Sequence, residues 1–217
     1  MQAEFWQAKW RNNEIGFHEG RPNPYLQRFW GMLALPERPR VLLPLCGKSQ
    51  DLLWLAGQGC SVLGVELAAQ AVEAFFAENG LTPEVDEQGP YRRYRCGSIE
   101  LLCGDFFALG ELSLGAVDAV YDRAALIALS APQRAAYARL LSEVLPQRLE
   151  MLLVTMEYPQ AQMSGPPFSV SGQEVTALYA DSFRLQALLR QDVLADNAPL
   201  RERGLSELHE CVWRLSR

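Results

Sequence analysis

The feature that most constrains the fold is a regular alternation of apolar runs and amphipathic segments that begins at residue 40. Residues 40–47 (RVLLPLCG) form an apolar run that includes Pro and ends in Gly, and residues 48–58 have helical spacing. A second apolar run, residues 60–66 (CSVLGVE), is followed by an amphipathic stretch, residues 68–80, that ends in Asn-Gly. Strand, helix, strand, helix in this order is typical of a doubly wound parallel sheet.

The rest of the chain continues this pattern. Apolar runs predict further strands, and amphipathic segments that open with Pro or Ser predict helices. The first two of these strands are expected to pair as a hairpin, and the last two are expected to close the sheet as antiparallel edge strands. The predicted strands are residues 91–97, 98–106, 116–123, 151–158, 183–193 and 207–216, and the predicted helices are residues 132–145 and 171–180.

Two helices are predicted ahead of the first strand, over residues 4–12 and 22–33. Trp6 and Trp10 are four residues apart and therefore share one face of the first helix. We expect Trp6 to pack in the core and Trp10 to face a ligand, although an ordinary amphipathic helix packed on the sheet is the alternative interpretation of both.

Composition limits the classes of partner. A chain of 217 residues with 49% hydrophobic residues suits one α/β domain, which we predict over residues 1–217. The net charge of −6 argues against nucleic acid and against anionic membrane surfaces, and no apolar window is long enough to span a membrane. Five scattered cysteines and two histidines indicate reduced thiols and no metal site. We therefore expect a cytoplasmic protein, acting as a monomer on a small molecule.

Two candidate ligand contacts follow the first two predicted strands. The turn PLCGKS contains one glycine, Gly47, which allows the backbone to approach a ligand closely, although a purely structural turn is an equal alternative. Glu66 ends the second strand, 19 residues after Gly47. An acidic residue at that offset can accept hydrogen bonds from both hydroxyls of a ribose, whereas a surface carboxylate is the alternative.

Two more candidates follow later strands. Asp105 and Phe106, after a glycine, offer a polar contact and an apolar wall that suit an adenine; a turn with an Asp cap is the alternative. Asp122 and Arg123 end another strand, where the reactive end of a cofactor is expected to lie, and a structural salt bridge is the alternative.

The turn after the first strand helps to separate two cofactor classes. A dinucleotide pyrophosphate needs several glycines and an open helix N-terminus, whereas a sulfonium amino acid has no phosphate and tolerates the bulkier turn PLCGKS. This favours S-adenosylmethionine over a nicotinamide dinucleotide.

Taken together, these residues resemble the thiopurine S-methyltransferase family, especially its bacterial branch. The stretches that carry the resemblance are FWQAKW, IGFHEG, RVLLPLCGKSQDLLWLAGQGCSVLGVEL, AVDAVYDRAALIAL, SGPPFSV and RERGLSELHE. The resemblance implies a Rossmann-like class I methyltransferase with a mostly parallel, seven-stranded sheet flanked by helices and an N-terminal helical cover over residues 1–34. It implies transfer of the methyl group of S-adenosylmethionine to the sulfur of aromatic or heterocyclic thiols, and some bacterial members act on selenium and tellurium species.

The resemblance also implies roles for individual residues. The implied cofactor contacts are Trp10, Leu45, Glu66 and Arg123, with Asp105 and Phe106 on the adenine side. Phe17 is implied beside the cofactor or the thiol, and Arg203 near the acceptor sulfur. Phe168, in the loop SGPPFSV, is a further candidate for the wall of the substrate pocket, with a simple connector as the equal alternative.

A cation is the catalytic group that this chemistry needs most. An aromatic thiol ionises readily, and arginine, which stays protonated, stabilises a thiolate without acting as a base. We predict this role for Arg123, assisted by Arg203, and we expect the Trp10 indole to attract the sulfonium. The alternative from another functional class is a non-catalytic protein that binds S-adenosylmethionine or a metalloid on the same scaffold.

Overall fold

The computed structural model describes residues 3–217, and the first two residues of the predicted cover lie outside the described residues. In that part of the chain, nine strands form one sheet. The strands are β1 (Arg40–Pro44), β2 (Ser61–Glu66), β3 (Glu84–Gln88), β4 (Tyr91–Cys96), β5 (Ile99–Cys103), β6 (Ala119–Asp122), β7 (Glu150–Glu157), β8 (Arg184–Asp192) and β9 (His209–Ser216).

Eight α-helices accompany the sheet within the described residues. They are α1 (Ala3–Arg11), α2 (Pro24–Phe29), α3 (Asp51–Gly57), α4 (Ala69–Glu78), α5 (Ala125–Ala128), α6 (Ala131–Val144), α7 (Gly172–Tyr179) and α8 (Ala198–Glu202). Short 3₁₀ helices cover Trp30–Met32, Phe106–Glu111 and Gln160–Gln162. None of the helices in residues 3–217 has the length and apolar character needed to cross a membrane.

The sheet has the predicted Rossmann-like arrangement. The strand order is β3-β4-β5-β2-β1-β6-β7-β9-β8, and β5, β2, β1, β6 and β7 are parallel to their neighbours within this central group. The chain leaves β1 toward β2 on one side and later returns to β6 on the other side. The carboxyl ends of β1 and β6 therefore form the point where strand order reverses, which is the usual ligand site of such sheets.

Two details of the predicted sheet were wrong. The sheet has nine strands instead of the seven that the resemblance implies, because β3 and β4 extend it beyond β5; the sequence pattern predicted β4 but not β3. The last predicted strand, β9, is not an edge strand, because it lies between β7 and β8 and pairs antiparallel with both.

Local sequence explains where the helices begin. The side chain of Asn23 accepts hydrogen bonds from the backbone amides of Tyr25 and Leu26, and Pro24 opens α2. Ser130 and Gln133 form a capping box at the start of α6, and the Ser171 side chain caps α7. These caps fix where the helices begin, and two separate apolar clusters are buried on the two faces of the sheet.

Candidate active site

A cleft of about 820 Å³ opens at the carboxyl ends of the parallel strands. This volume lies in the range of roughly 300–1,000 Å³ that is usual for small-molecule sites. Segments that follow β1, β2, β5 and β6 line one part of the cleft, and the N-terminal cover closes it from above. Residues 154–156, 165–167 and 197–210 contribute the far end. Of the predicted site residues, the cleft is lined by Trp10, Phe17, Leu45, Glu66, Asp105, Phe106, Arg123 and Arg203.

The turn after β1 has an unusual backbone. Leu45 has a φ of 49° and Gly47 has a φ of 55°, so both lie in the left-handed region. Glycine adopts this conformation readily, whereas leucine does so at an energetic cost that is typical of functional sites. A Cβ atom on Gly47 would lie 3.1 Å from Cζ2 of Trp10, so this glycine also makes room for the indole of the cover.

Glu66 is held at the base of the same turn. Its Oε2 accepts a hydrogen bond from the amide of Gly47 at 2.8 Å, and its Oε1 accepts one from the amide of Ala68 at 2.8 Å. Burial raises the pKa of the Glu66 carboxyl, and these backbone hydrogen bonds act in the opposite direction. Each carboxylate oxygen keeps a further lone pair, so the group can still accept hydrogen bonds from a ligand in the cleft.

Aromatic rings of the N-terminal cover form one wall. Trp10 is 6% exposed and packs against Ala68 and Ala71, while its ring contacts Phe17 edge to face at 5.7 Å between centroids. Trp6 was predicted in the core, but it is partly exposed and lines the cleft, where its ring lies 5.4 Å from that of Phe17. Helical spacing places both tryptophans on one face, and the depth of each depends on how α1 packs against α4.

The predicted adenine-side residues follow β5. Asp105 is exposed, and its side chain accepts a hydrogen bond from the amide of Phe107 at 3.0 Å. Phe106 is buried, with its ring 5.0 Å from that of Tyr137. The cleft is also lined by Phe107, which is exposed and which the sequence analysis missed although it adjoins the motif.

Asp122 and Arg123 point in different directions. Asp122 is fully buried, where it accepts hydrogen bonds from the amides of Ala125 and Leu126 and from the hydroxyl of Tyr137. The prediction that Asp122 lies at the reactive end of the cofactor was therefore wrong, because its side chain caps α5 inside the core. Burial raises the pKa of Asp122 to about 6. Arg123 reaches the cleft and forms an ion pair with Glu19 of the cover.

The far end of the cleft is built by the loop that contains two consecutive prolines. Gly165, Pro166 and Pro167 line the cleft, and the hydroxyl of Tyr158 donates a hydrogen bond to the carbonyl of Pro167 at 2.5 Å. Phe168 is absent from the described lining of the cleft, and its place in the substrate pocket stays a prediction. Its ring instead lies under the guanidinium of Arg134, 6.0 Å from centroid to Cζ.

Other residues at this end had no motif that pointed to them. Arg203, at the end of α8, is exposed and lines the cleft, and its place near the acceptor sulfur stays a prediction. The sequence analysis missed Thr155, Met156, Asn197, Leu200 and Glu210, which line the same region. They belong to segments that are distant in sequence, and only the fold brings them together.

A smaller polar pocket of about 60 Å³ adjoins the cleft. It shares Trp10, Phe17, Glu19, Leu45, Gly47, Arg123 and Ala124 with the cleft. His18, Lys48, Asp51 and Tyr121 line only the smaller pocket. Burial lowers the pKa of His18, so its imidazole is neutral at pH 7. His209 lies on β9, as predicted.

All 217 residues match the family model described as Thiopurine S-methyltransferase (TPMT). The chain belongs to the thiopurine S-methyltransferase family. Relatives that carry this name are 54% identical in Pseudomonas aeruginosa (strain UCBPP-PA14) and 51% identical in Azotobacter vinelandii, each over 100% of both chains. A relative with this name in Nitrosospira multiformis is 48% identical over 99% of this chain and 98% of its own length.

Solved structures support the fold of this family. The 1,6-didemethyltoxoflavin-N1-methyltransferase of Burkholderia thailandensis, solved with bound 1,6-didemethyltoxoflavin and S-adenosylhomocysteine, is similar with a TM-score of 0.62 at 15% identity. The similarity covers 99% of this chain and 87% of that enzyme. The predicted enzyme class, a methyltransferase that uses S-adenosylmethionine, is confirmed by membership in the thiopurine S-methyltransferase family.

Proposed function

We propose that this protein transfers the methyl group of S-adenosylmethionine to the sulfur of heterocyclic aromatic thiols, with thiopurines as the model acceptors. The observation that carries the proposal is one continuous cleft. Its lining includes the Glu66 carboxylate, the Arg123 guanidinium, and Pro166, Pro167 and Arg203. The names of the relatives supply the acceptor class, and the cleft offers Arg123 and Arg203 as cations for a thiolate.

The residues of the cleft suit the cofactor. Glu66 has spare lone pairs for two ribose hydroxyls, and Asp105 with Phe106 offers a polar contact and an apolar surface for an adenine. Trp10 and Phe17 offer aromatic faces, which attract a sulfonium cation. Leu45 lies at the strained turn and lines the cleft. These are the roles that we propose for the residues.

S-Adenosylmethionine, when bound, supplies a methyl group on a sulfonium, which is an excellent leaving group. The chain therefore has to align the acceptor, exclude water and favour its thiolate. Arg123 is proposed to stabilise the thiolate, and Arg203 to assist from the rim of the cleft. The aromatic rings of the cover shield the reacting sulfur from water. A general base is not needed, because an aromatic thiol ionises near neutral pH.

The remaining expectations form part of the same proposal. Residues 1–217 act as one domain, with residues 1–34 as its cover, and the protein works as a cytoplasmic monomer on a small thiol. All five cysteines are unpaired, which agrees with a reducing compartment. Selenium and tellurium species are further acceptors to test, because they react as soft nucleophiles in the way that thiolates do.

Calorimetry followed by a turnover assay tests the proposal. We expect the protein to bind S-adenosylmethionine and S-adenosylhomocysteine, not NAD, and to form an S-methylated product from a thiopurine. We expect Arg123→Ala to keep the fold and to lower the turnover number about tenfold to hundredfold, because a charge-stabilising group is lost.

The alternative function gives a different result in the same assay. A non-catalytic binding protein would bind S-adenosylmethionine and yield no methylated product from any thiol or selenol. Folded protein that binds neither S-adenosylmethionine nor S-adenosylhomocysteine would refute the proposal. Undiminished turnover of Arg123→Ala would remove this residue from the mechanism.

A further inference from the structure

The segment between α1 and α2 carries a carboxylate that reaches the end of β6. Glu19 accepts a hydrogen bond from Nη2 of Arg123, 104 positions later in the chain. Both side chains line the large cleft and the small polar pocket, so the ion pair stands where the two spaces meet. The Glu19 side chain is 41% exposed, whereas that of Arg123 is 22% exposed. The pair therefore joins the N-terminal cover to the end of a central strand.

In the described part of the chain, none of the other ionisable groups around the small pocket forms an ion pair with Arg123. Lys48 forms an ion pair with Glu78 at 2.7 Å. Asp51 is buried and accepts a hydrogen bond from the amide of Asn23 at 2.7 Å. His18 is neutral at pH 7, because burial lowers its pKa. The Asp51 carboxyl also interacts electrostatically with Arg123, but Glu19 is the carboxylate that is hydrogen-bonded to this guanidinium.

This balance matters because the two forms of the cofactor differ in charge. S-Adenosylmethionine carries a positive sulfonium, whereas the sulfur of S-adenosylhomocysteine is neutral. An unbalanced guanidinium near that sulfur repels the first ligand and leaves the second nearly unaffected. A carboxylate on the guanidinium cancels most of this repulsion at the distance of the sulfur.

We propose that Glu19 is a positioning residue that balances Arg123, so that the cleft admits a sulfonium cation beside a guanidinium. The inference rests on the proposed function, because it requires the cofactor sulfur to lie near Arg123. The ion pair also fixes the direction of the guanidinium, which has five N–H donors and keeps others for an acceptor thiolate. Cofactor binding and thiolate stabilisation then use the same arginine without opposing each other.

The ratio of two dissociation constants tests the charge balance. We expect Glu19→Gln to raise the ratio Kd(S-adenosylmethionine)/Kd(S-adenosylhomocysteine) by about three- to tenfold, as measured by calorimetry at low salt. Arg123→Gln should lower the same ratio, because it leaves Glu19 unbalanced beside a cation. The double variant should return the ratio toward that of the wild type.

Glu4→Gln is the matched control. Glu4 is exposed on α1 of the same cover and lines neither the cleft nor the small pocket, so this change removes a cover carboxylate without touching Arg123. We expect its ratio to equal that of the wild type. If Glu19→Gln weakened the binding of both ligands equally, the inference would be overturned, because a purely structural contact does not distinguish the two ligands. The Arg123→Gln ratio provides an independent test if Glu19→Gln fails to fold. Failure of the wild type to bind either ligand would instead refute the proposed function, and with it this inference.

Discussion

At the scale of single residues, the end of β6 shows how one strand serves the core and the cleft at once. Asp122 is the last residue of β6 and Arg123 is the first residue after it, and their side chains diverge although they are neighbours. Asp122 is fully buried and satisfies two backbone amides and one tyrosine hydroxyl. Arg123 faces the cleft. The sequence alone predicts a site role for both residues. Only the structure shows that Asp122 lies in the core and Arg123 at the cleft.

The buried carboxyl of Asp122 makes stability depend on pH. Because its pKa is about 6 in the folded protein, above the ordinary 3.8, the native state retains this proton longer than the unfolded chain as pH rises. Ionisation of Asp122 therefore lowers stability as pH rises through this window. Asparagine does not titrate, so we expect the free energy of unfolding of Asp122→Asn relative to wild type to rise by about 3 kcal/mol between about pH 3.5 and about pH 7. Urea denaturation at both pH values measures this change, and a pH-independent difference would contradict it.

Glu66 offers a test of the cofactor end of the cleft. In Glu66→Gln, an amide group replaces one oxygen that accepts a backbone hydrogen bond, and it cannot accept from two ribose hydroxyls together. We expect the Kd of S-adenosylhomocysteine to rise about tenfold to hundredfold, which corresponds to one or two lost hydrogen bonds. Glu73→Gln, on exposed α4, serves as the control and should bind as the wild type does. Unchanged affinity in Glu66→Gln would exclude the ribose role.

At the scale of secondary-structure elements, α6 holds the loop that walls the far end of the cleft. The guanidinium of Arg134 is buried, where it pairs with Glu174 at 2.6 Å and donates a hydrogen bond to the carbonyl of Leu129 at 2.7 Å. It also lies over the ring of Phe168, and the amide of Phe168 donates to the carbonyl of Ile127 at 2.6 Å. Phe168 thus anchors the loop from behind, while the prolines before it face the ligand.

Loss of this anchor should affect the acceptor more than the cofactor. We expect Arg134→Met to lower the free energy of unfolding by about 2–3 kcal/mol, because Glu174 loses its partner in a partly buried site. The loosened loop should raise the KM for the thiol severalfold more than the KM for S-adenosylmethionine. Arg139→Met, on the exposed side of α6, is the control for the helix itself. Equal changes in the two KM values would show that Arg134 acts only through stability.

At the scale of the whole molecule, the sequence predicts the order of helices and strands along the chain better than it predicts which strands lie side by side in the sheet. The alternation after residue 40 predicts the parallel sheet, since apolar runs and amphipathic helices are local properties. It misses β3, because EVDEQ is polar on both faces and shows no alternation. It also places β9 at an edge, because strand order depends on contacts between distant segments.

The candidate site shows the same division. Residues that directly follow strands, such as Glu66 and Arg123, are found by position along the chain, because all parallel strands end at one edge of the sheet. Leu45 is found only through the resemblance, since nothing in a leucine indicates a left-handed backbone. Glu19 escapes detection because its partner lies 104 positions away. Long-range pairing of charges is therefore the part of the site that sequence patterns describe least.

The contact between Gly47 and Trp10 has a consequence for ligand choice. In enzymes that bind dinucleotides, the glycine-rich turn after the first strand receives the pyrophosphate. Here the indole of Trp10, which is 6% exposed, already occupies the space next to Gly47 in that turn. A dinucleotide would first have to displace Trp10, and exposing its buried apolar surface to water would cost about 2–3 kcal/mol. Trp10 therefore disfavours cofactors that would place a phosphate group at this turn.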